Sequence, residues 1–443
     1  MDKRFKNAMY ILKVLQNNKH DAVIAGGWVR DKLIGVPSKD IDIATSAKPE
    51  EVEALFEKTI PIGKAFGIIS VIINEDQFEI ATFRSDGNSL DGRHPDSITF
   101  SSMEEDAERR DLTINGMFYD PFLDFVIDFV KGKQDIKDKV IKFIGNPRER
   151  IQEDYLRMLR AIRFAIKLDF KMESDTFRSI IENSKHITKI SSERIKDELI
   201  KMFRLGKPRN TLYLLSFCLL LEEILIEVYI LKFCDQNPGW HPEGNVWEHT
   251  IIAMENIFKN NENPSDELIW ATLLHDIGKP TTQTVEDGVI RSHGHAKEGA
   301  DIARKILKRL KFSNDFIEKV TRLIYDHMGV KEIKKMKKST FRKYLAKPYI
   351  EDLIKLAFAD SQACGIKSHT KWYNTYLERK EKLSNEVIEI LPSCFVNGND
   401  LIRLGFKPGP KFKKILGEIM ELQLNEEIKC KDDAINYIKK IKE

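Results

Sequence analysis

Residues 26–44 read GGWVRDKLIGVPSKDIDIA, and the fold turns on how this stretch is parsed. Just ahead of it, Val23, Ile24 and Ala25 make a short apolar strand that runs into the Gly26-Gly27 turn. Lacking a Cβ, the two glycines let backbone N–H groups come close to an anion. A helix is predicted from Trp28 to about Ile34, which sets Arg30 beside the same turn. The chain then reaches Asp40-Ile41-Asp42-Ile43. Period-two alternation there puts both carboxylates on one face of a strand and both isoleucines on the other. Acids held this close repel each other unless a cation lies between them, so the pair predicts a divalent-metal site.

Working outward, a third acid fits the cluster. Glu79 lies in the alternating run 78–83, beside another strand expected at 68–73. Mg2+ favours carboxylate and phosphate oxygens, so Asp40, Asp42 and Glu79 predict nucleotidyl transfer. A helix over 4–17 should cover a small sheet with strands near 23–25, 40–43, 68–73 and 78–83, and Pro49 opens a further helix. Residues 85–95 are rich in turn formers. They read either as a surface loop or as an element over the nucleotide, with Arg84 or Arg93 approaching phosphate or base. Arg110 can neutralise triphosphate charge, while Asp111 and Asn115 are candidates for the ribose. A helix is predicted over 148–165, with Asp154, Arg157, Arg160 and Arg163 at three-residue spacing. Such a series is ordinarily a solvated ladder. The alternative is that the Asp154 acceptors and the Arg157 donor fork read a base's Watson–Crick edge.

Composition bounds the rest. A chain of 443 residues makes roughly three or four domains. Hydrophobic and charged contents of 42% and 32% describe a water-soluble protein, and a net charge of +3 is too small to argue for nucleic acid by itself. No apolar run reaches membrane-spanning length, so no membrane partner is expected. The N-terminus reads as an amphipathic helix without a signal-peptide cleavage region. The five cysteines are scattered with no CxxC, which predicts reduced thiols and a cytoplasmic location.

The head motifs together resemble the class II tRNA nucleotidyltransferases, the CCA-adding enzymes and their poly(A) polymerase relatives. The matching blocks are GGWVRDKLIG at 26–35, Asp40 and Asp42, FR at 83–84, GRHPD at 92–96 and RRDLTIN at 109–115. They continue with EDYLRMLRAIRF at 153–164 and ERIKDEL at 193–199. The resemblance implies an α+β fold: a small mixed-sheet head of the DNA polymerase β superfamily (1–146), then an elongated all-α neck (147–234) and body. It implies Mg2+ on Asp40 and Asp42, and CTP and ATP as substrates with tRNA. The nucleotide is assigned to Gly26, Gly27, Arg30, Arg84, Arg110, Asp111, Asn115, Asp154, Arg157, Arg160 and Arg163. Asp154 and Arg157 would select the base, with Arg160 supporting the triphosphate or nucleotide switching. Gly116 stands where alanine is usual, and Asp86 where glutamate is common.

A linker at 235–240 precedes a second constellation: His249, His275-Asp276, His295, His327 and Asp360. Imidazoles with carboxylates suit a transition metal. With HDIGK at 275–279 and GHAKEGA at 294–300, this stretch (240–370) resembles the HD superfamily of metal-dependent phosphohydrolases. That resemblance implies a second divalent metal and activity on 2′,3′-cyclic or 3′-phosphate ends. Lys334, Lys335, Lys337 and Lys338, and then Lys411, Lys413 and Lys414 of the tail (371–443), are either solvated faces or RNA-backbone contacts. Three rival outcomes fit the same residues. One is a partial activity: CC-adding, A-adding or poly(A) synthesis. Another is a phosphohydrolase with an RNA-docking head, and the third is a non-catalytic tRNA-binding protein. Oligomeric state is not legible.

Overall fold

The apolar run before the glycine turn and the acid-bearing run after it pair with each other, as their alternation requires. In this computed structural model residues 3–38, 40–61, 63–86, 98–385 and 390–442 are described. Two compact units divide the chain, Met1–Ile226 and Glu227–Glu443. Unit 1 carries strands β1 (Ala22–Ala25), β2 (Asp42–Thr45), β3 (Thr59–Ile60), β4 (Ile68–Ile73) and β5 (Asp76–Thr82). β6 (Arg84–Asp86), β7 (Ile98–Phe100), β8 (Phe118–Asp120) and β9 (Phe125–Ile127) follow. Seven of them form one mixed sheet in the order β3-β4-β5-β2-β1-β8-β9, while β6 and β7 pair apart. Within the seven-stranded sheet only β2 and β5 run parallel; the other neighbours are antiparallel. β4 and β5 meet through a two-residue turn, Asn74-Glu75, both at positive φ, which matches the right-handed twist of the hairpin.

The sheet is covered on both faces. Helix Lys3–Asn17 presents Ala8, Ile11, Leu12 and Leu15, spaced by helical turns, to Ile24, Ile43, Ile69, Val71, Phe78 and Ile80. Val23, Ala25, Ala44, Phe83 and Phe118 point the other way and meet Ala107 of helix Met103–Glu108. Each fully buried aliphatic side chain contributes about 1.5–3 kcal/mol. Asp42 alternates with Ile43 and therefore faces the Ala44 side.

Three expectations need correction. β2 begins at Asp42, not at residue 40: β1 ends at Ala25, which pairs with Asp42, and Gly26 (φ 68°) bends the chain away. Asp40 and Ile41 so have no β1 residue to pair with. The single helix expected over 148–165 is two, Pro147–Glu153 and Leu156–Leu168. Between them Asp154 is extended (φ −153°, ψ 104°), and its Oδ1 accepts the Leu156 N–H at 3.0 Å. A short acidic side chain competes for backbone N–H groups, which makes it a better cap than a helix interior. The stretch 170–235, expected to be helical throughout, is a series of short helices and turns that also holds a strand, Lys171–Met172, paired in parallel with Val140–Ile141.

Unit 2 is built on helices Val246–Asn260, Asp266–Leu274, His295–Arg309, Asn314–Asp326 and Ile350–Ala363. Helices Gly398–Arg403, Pro410–Leu424 and Lys431–Lys442 contribute to a separate core that includes Val396, Leu401, Ile419 and Ile438. No described helix is long and apolar enough to cross a membrane, and the five cysteines are free thiols.

Candidate active site and metal centre

Residues from five parts of unit 1 line one cleft of about 350 Å³. The glycine turn supplies Gly26 and Gly27, the helix after it Arg30, and β2 Asp42. The 109–115 block adds Arg109, Arg110, Asp111 and Asn115, and the broken-helix region adds Asp154, Arg157, Arg160 and Phe164. Five guanidiniums and three carboxylates leave an excess of two positive charges, suited to a polyphosphate.

Each charge is held in place. Buried Asp106 accepts from Arg109 Nε at 2.8 Å and from Arg110 Nη2 at 3.0 Å, aiming both guanidiniums from one carboxylate. Arg110 also lies over the Phe118 ring. Buried Arg30 donates to Asp31 Oδ1 and, through Nη1, to Asn115 Oδ1 at 2.6 Å. Asn115 in turn donates to Asp111 at 3.4 Å. Arg160 Nε donates to Asp111 Oδ2 at 2.7 Å. Burial pushes the Asp111 carboxyl up, but Arg160, the Leu112 N–H and Asn115 outweigh it and bring it down to about 2. Arg194 holds Asp154 Oδ2 at 2.6 Å, and Arg157 donates to the carbonyl oxygen of Arg150 at 2.9 Å.

Asp42 is the exception to this balance. Burial, and after it the charges of Asp40 and Glu79, raise its carboxyl to about 6 against the opposing pull of Arg110 and Arg4. The exposed Asp40 and Glu79 thus act on Asp42 from the preceding residues and from the neighbouring strand. Hard carboxylate oxygens in mutual repulsion are the donor set a magnesium ion takes. These residues therefore fit the cation, although their oxygens are not drawn as tightly together as the groups in unit 2.

Not every expected residue reaches the cleft. Arg84 donates to the Phe66 carbonyl and is not among the lining residues. Arg163 donates to buried Glu198 at 2.6 Å and stacks on Phe164 at 4.5 Å. Arg93 and the GRHPD block lie outside the described residues. Sequence reasoning missed Arg109, Phe164 and the braces Asp106, Arg194 and Glu198. Arg109 and Asp106 sat in plain view in a charged helix, whereas nothing local marked Phe164.

In unit 2 all six predicted ligands meet. His275 and His327 close the C-terminal ends of helices Asp266–Leu274 and Asn314–Asp326, and His295 opens helix His295–Arg309. Carbonyl oxygens take the Nδ1–H groups: Thr272 for His275 at 2.8 Å, Ser292 for His295 at 2.8 Å and Ile324 for His327 at 2.6 Å. A carbonyl only accepts, so in the neutral tautomer this sets, the lone pair sits on Nε2. His249 turns Nδ1 to Glu243 at 2.6 Å; burial lowers its pKa, but Asp360, Cys364 and Glu243 outweigh that and raise it well above its ordinary value. Its Nε2 lies 3.1 Å from Asp360 Oδ1 and 3.3 Å from His275 Nε2. Asp276 stands between two groupings, 3.5 Å from His249 and 3.4 Å from His295. His249, His275 and Asp360 form one possible ligand set, and Asp276, His295 and His327 another. His295 Nε2 and His327 Nε2 are buried without a hydrogen-bond partner, beside the Asp276 carboxylate. Orphaned acceptors converging in this way fit divalent transition metals. Lys279 and Lys331 lie 2.6 Å from Asp276 and Asp360. Gly278 makes the packing possible, since a Cβ there would come 2.3 Å from the His295 carbonyl oxygen. The centre opens on a cavity of about 630 Å³ that Asp276, Lys279, His295, Lys331 and Asp360 line.

Of the lysines considered for RNA, Lys335 and Lys338 pair with Glu332 and Glu426. Lys334, Lys337, Lys411, Lys413 and Lys414 are exposed.

Comparison with known proteins adds three matched stretches and several full-length relatives. Residues 22–142 match the Poly A polymerase head domain, 169–230 the probable RNA and SrmB-binding site of polymerase A, and 246–390 the HD domain. A CCA-adding enzyme of Ligilactobacillus salivarius is 34% identical over 96% of this chain and 92% of its own. One of Pediococcus pentosaceus is 31% identical over 99% of this chain and 100% of its own. The crystal structure of the Bacillus stearothermophilus CCA-adding enzyme in complex with CTP superposes with a TM-score of 0.73 at 25% identity, covering 100% of this chain and 99% of that one.

Proposed function

The chain belongs to the CCA-adding enzyme family, and from that premise we propose that its head adds C, C and A to the 3′ end of tRNA from CTP and ATP, without a template. The attacking 3′-hydroxyl forms the new phosphodiester at the α-phosphate, and pyrophosphate leaves. One observation carries the reading: the glycine turn, Asp42, Asp111, Asp154, Arg157 and Arg160 line a single cleft. In this proposal Gly26, Gly27 and Arg110 hold the triphosphate, and Asp111 with Asn115 receives the ribose. Asp40 and Asp42, with Glu79 beside them, would hold Mg2+, whose charge would ease deprotonation of the 3′-hydroxyl and offset the triphosphate. Asp154 offers an acceptor and Arg157 a donor. Cytosine and adenine each present an amino donor next to a ring-nitrogen acceptor, so this one pair serves both. Guanine and uracil put a carbonyl where the amino group would be, against the Asp154 carboxylate. Arg194, bonded to Asp154, holds that carboxylate in register as a positioning residue.

Unit 2 supports a second activity, hydrolysis of phosphate esters at RNA 3′ ends, on the strength of the orphaned His295 and His327 nitrogens gathered with Asp276. A divalent transition metal held by the six ligands would supply an activated water there. Removing a 3′-phosphate or cyclic phosphate leaves the free hydroxyl that the head requires. The four-part division into head, neck, HD domain and tail, and work in the reducing cytoplasm, complete the proposal.

The test is incubation of tRNA transcripts ending at the discriminator base, at C and at CC with labelled CTP or ATP, resolved at single-nucleotide length. Stepwise completion of all three to CCA is expected. Extension of only one class, or poly(A) tails, would replace it with a partial activity. Affinity for tRNA without incorporation would remove the polymerising role.

A further inference from the structure

Lys331 lines two hollows. One is the metal-centre cavity; the other, of about 330 Å³, is lined also by Lys334, Ser361, Ser368, His369 and Lys371. The charge of Lys331 is shared with Asp360, 2.6 Å away. Lys334 and Lys371 are exposed and have no acid partner among the described residues. Ser361 is buried, and its hydroxyl accepts from Trp372 Nε1 at 3.0 Å, which leaves its own hydrogen to donate. No carboxylate lines the hollow. The one group there that can carry negative charge, the Cys364 thiol, lies 3.6 Å from His241 Nδ1. Ammonium and hydroxyl donors without a carboxylate are complementary to a phosphate. Because a single ammonium belongs to both hollows, a phosphate in one sits beside a phosphate in the other.

We propose that this second hollow is a subsite for the phosphodiester adjoining the reacting phosphate, so that the centre in unit 2 takes the end of an RNA strand in preference to a mononucleotide. The inference rests on the hydrolytic reading of that centre. Lys334 and Lys371 bind the neighbouring phosphate, Ser361 and Ser368 donate to its oxygens, and Lys331 bridges the two.

The test compares the full chain with its Lys334→Ala/Lys371→Ala form, each loaded with Mn2+. The substrates are a short oligonucleotide ending in a 2′,3′-cyclic phosphate and a mononucleoside 2′,3′-cyclic phosphate. The double variant should raise KM for the oligonucleotide about 10- to 100-fold, with kcat and the melting temperature held. KM for the mononucleotide, which has no second phosphate, should move less than about twofold on the same reasoning. Equal shifts for both substrates, or no shift for either, would overturn the subsite while the hydrolytic reading stands. No turnover of either substrate by the unaltered protein would remove that reading and the subsite with it. If the hollow serves free phosphate instead, inorganic phosphate will change mononucleotide turnover in the unaltered protein alone, and the oligonucleotide KM will ignore the double variant. That result also overturns the proposal.

Discussion

Adding one methyl group at Gly26 asks whether the glycine turn and Arg110 hold the triphosphate together. Gly26→Ala meets two obstacles. The backbone there has φ 68° and ψ −125°, a region open to glycine and strained for alanine by about 1–3 kcal/mol. The new Cβ would also stand 3.1 Å from Arg110 Nη1. That guanidinium is held at 3.0 Å by Asp106, so it can yield only a few tenths of an ångström before its bonds weaken. For a unit of this size about 1–3 kcal/mol corresponds to a melting temperature lower by roughly 2–12 °C. Displacing Arg110 from the phosphates by a similar energy should raise KM for ATP about 10- to 100-fold. The assay is single-turnover ATP addition to tRNA ending in CC, beside thermal melts, in the Arg110 and Arg110→Ala backgrounds. If the contact matters, the Gly26→Ala penalty on KM shrinks at least about threefold once Arg110 is gone. Unchanged KM and melting temperature, or an identical penalty in both backgrounds, would refute the reasoning.

Five further outcomes follow from individual groups. Asp111, brought down to about 2 from 3.8, stabilises the fold above its ordinary value, and that contribution is lost as pH falls from 3.8 through 2. Asp111→Asn should therefore flatten urea-measured stability across that window, where the unaltered protein weakens steeply. Asp42, raised to about 6, binds its proton more tightly folded than unfolded, so the metal-free protein loses stability as pH rises from 3.8 through 6. Asp42→Asn should accordingly melt higher than the unaltered protein at pH 7.5 in chelator, with the gap closing below about pH 4, and should incorporate no nucleotide. Glu198 is buried against Arg163 at 2.6 Å, so Glu198→Ala should cost about 3–5 kcal/mol in chemical denaturation. Arg163→Lys should keep the CTP and ATP preference in competition assays, whereas Arg157→Lys should relax it. Finally, Asp276→Asn should lower the transition-metal content per chain measured by elemental analysis, while CTP addition by unit 1 continues at its usual rate.

The site was partly legible because some of its features are local. Arg110, Asp111 and Asn115 lie within one short block, and the glycine turn sits between a strand and a helix whose patterns are plain. The imidazoles of unit 2 were legible as residue types, but their division into two neighbouring ligand sets was not. Their Nδ1 partners are backbone carbonyls at helix ends, and only folding brings those helices together. Identical spacing made Arg157, Arg160 and Arg163 look alike. They part company because their acids differ: Asp111 takes Arg160 and Glu198 takes Arg163, 49 and 35 residues away along the chain.

Hydrophobic period and turn chemistry act between neighbours, so the amino-acid order alone determined that an amphipathic helix covers a small sheet, that a glycine bend follows β1 and that Asp42 faces away from Ile43. Where β2 begins, where the 148–165 helix breaks, and which guanidiniums line the cleft were decided by the tertiary structure. Coulombic and hydrogen-bonding partners are chosen by distance in space, and β1 ending at Gly26, Asp154 turning to Arg194 and Phe164 meeting three arginines have no counterpart in any local pattern.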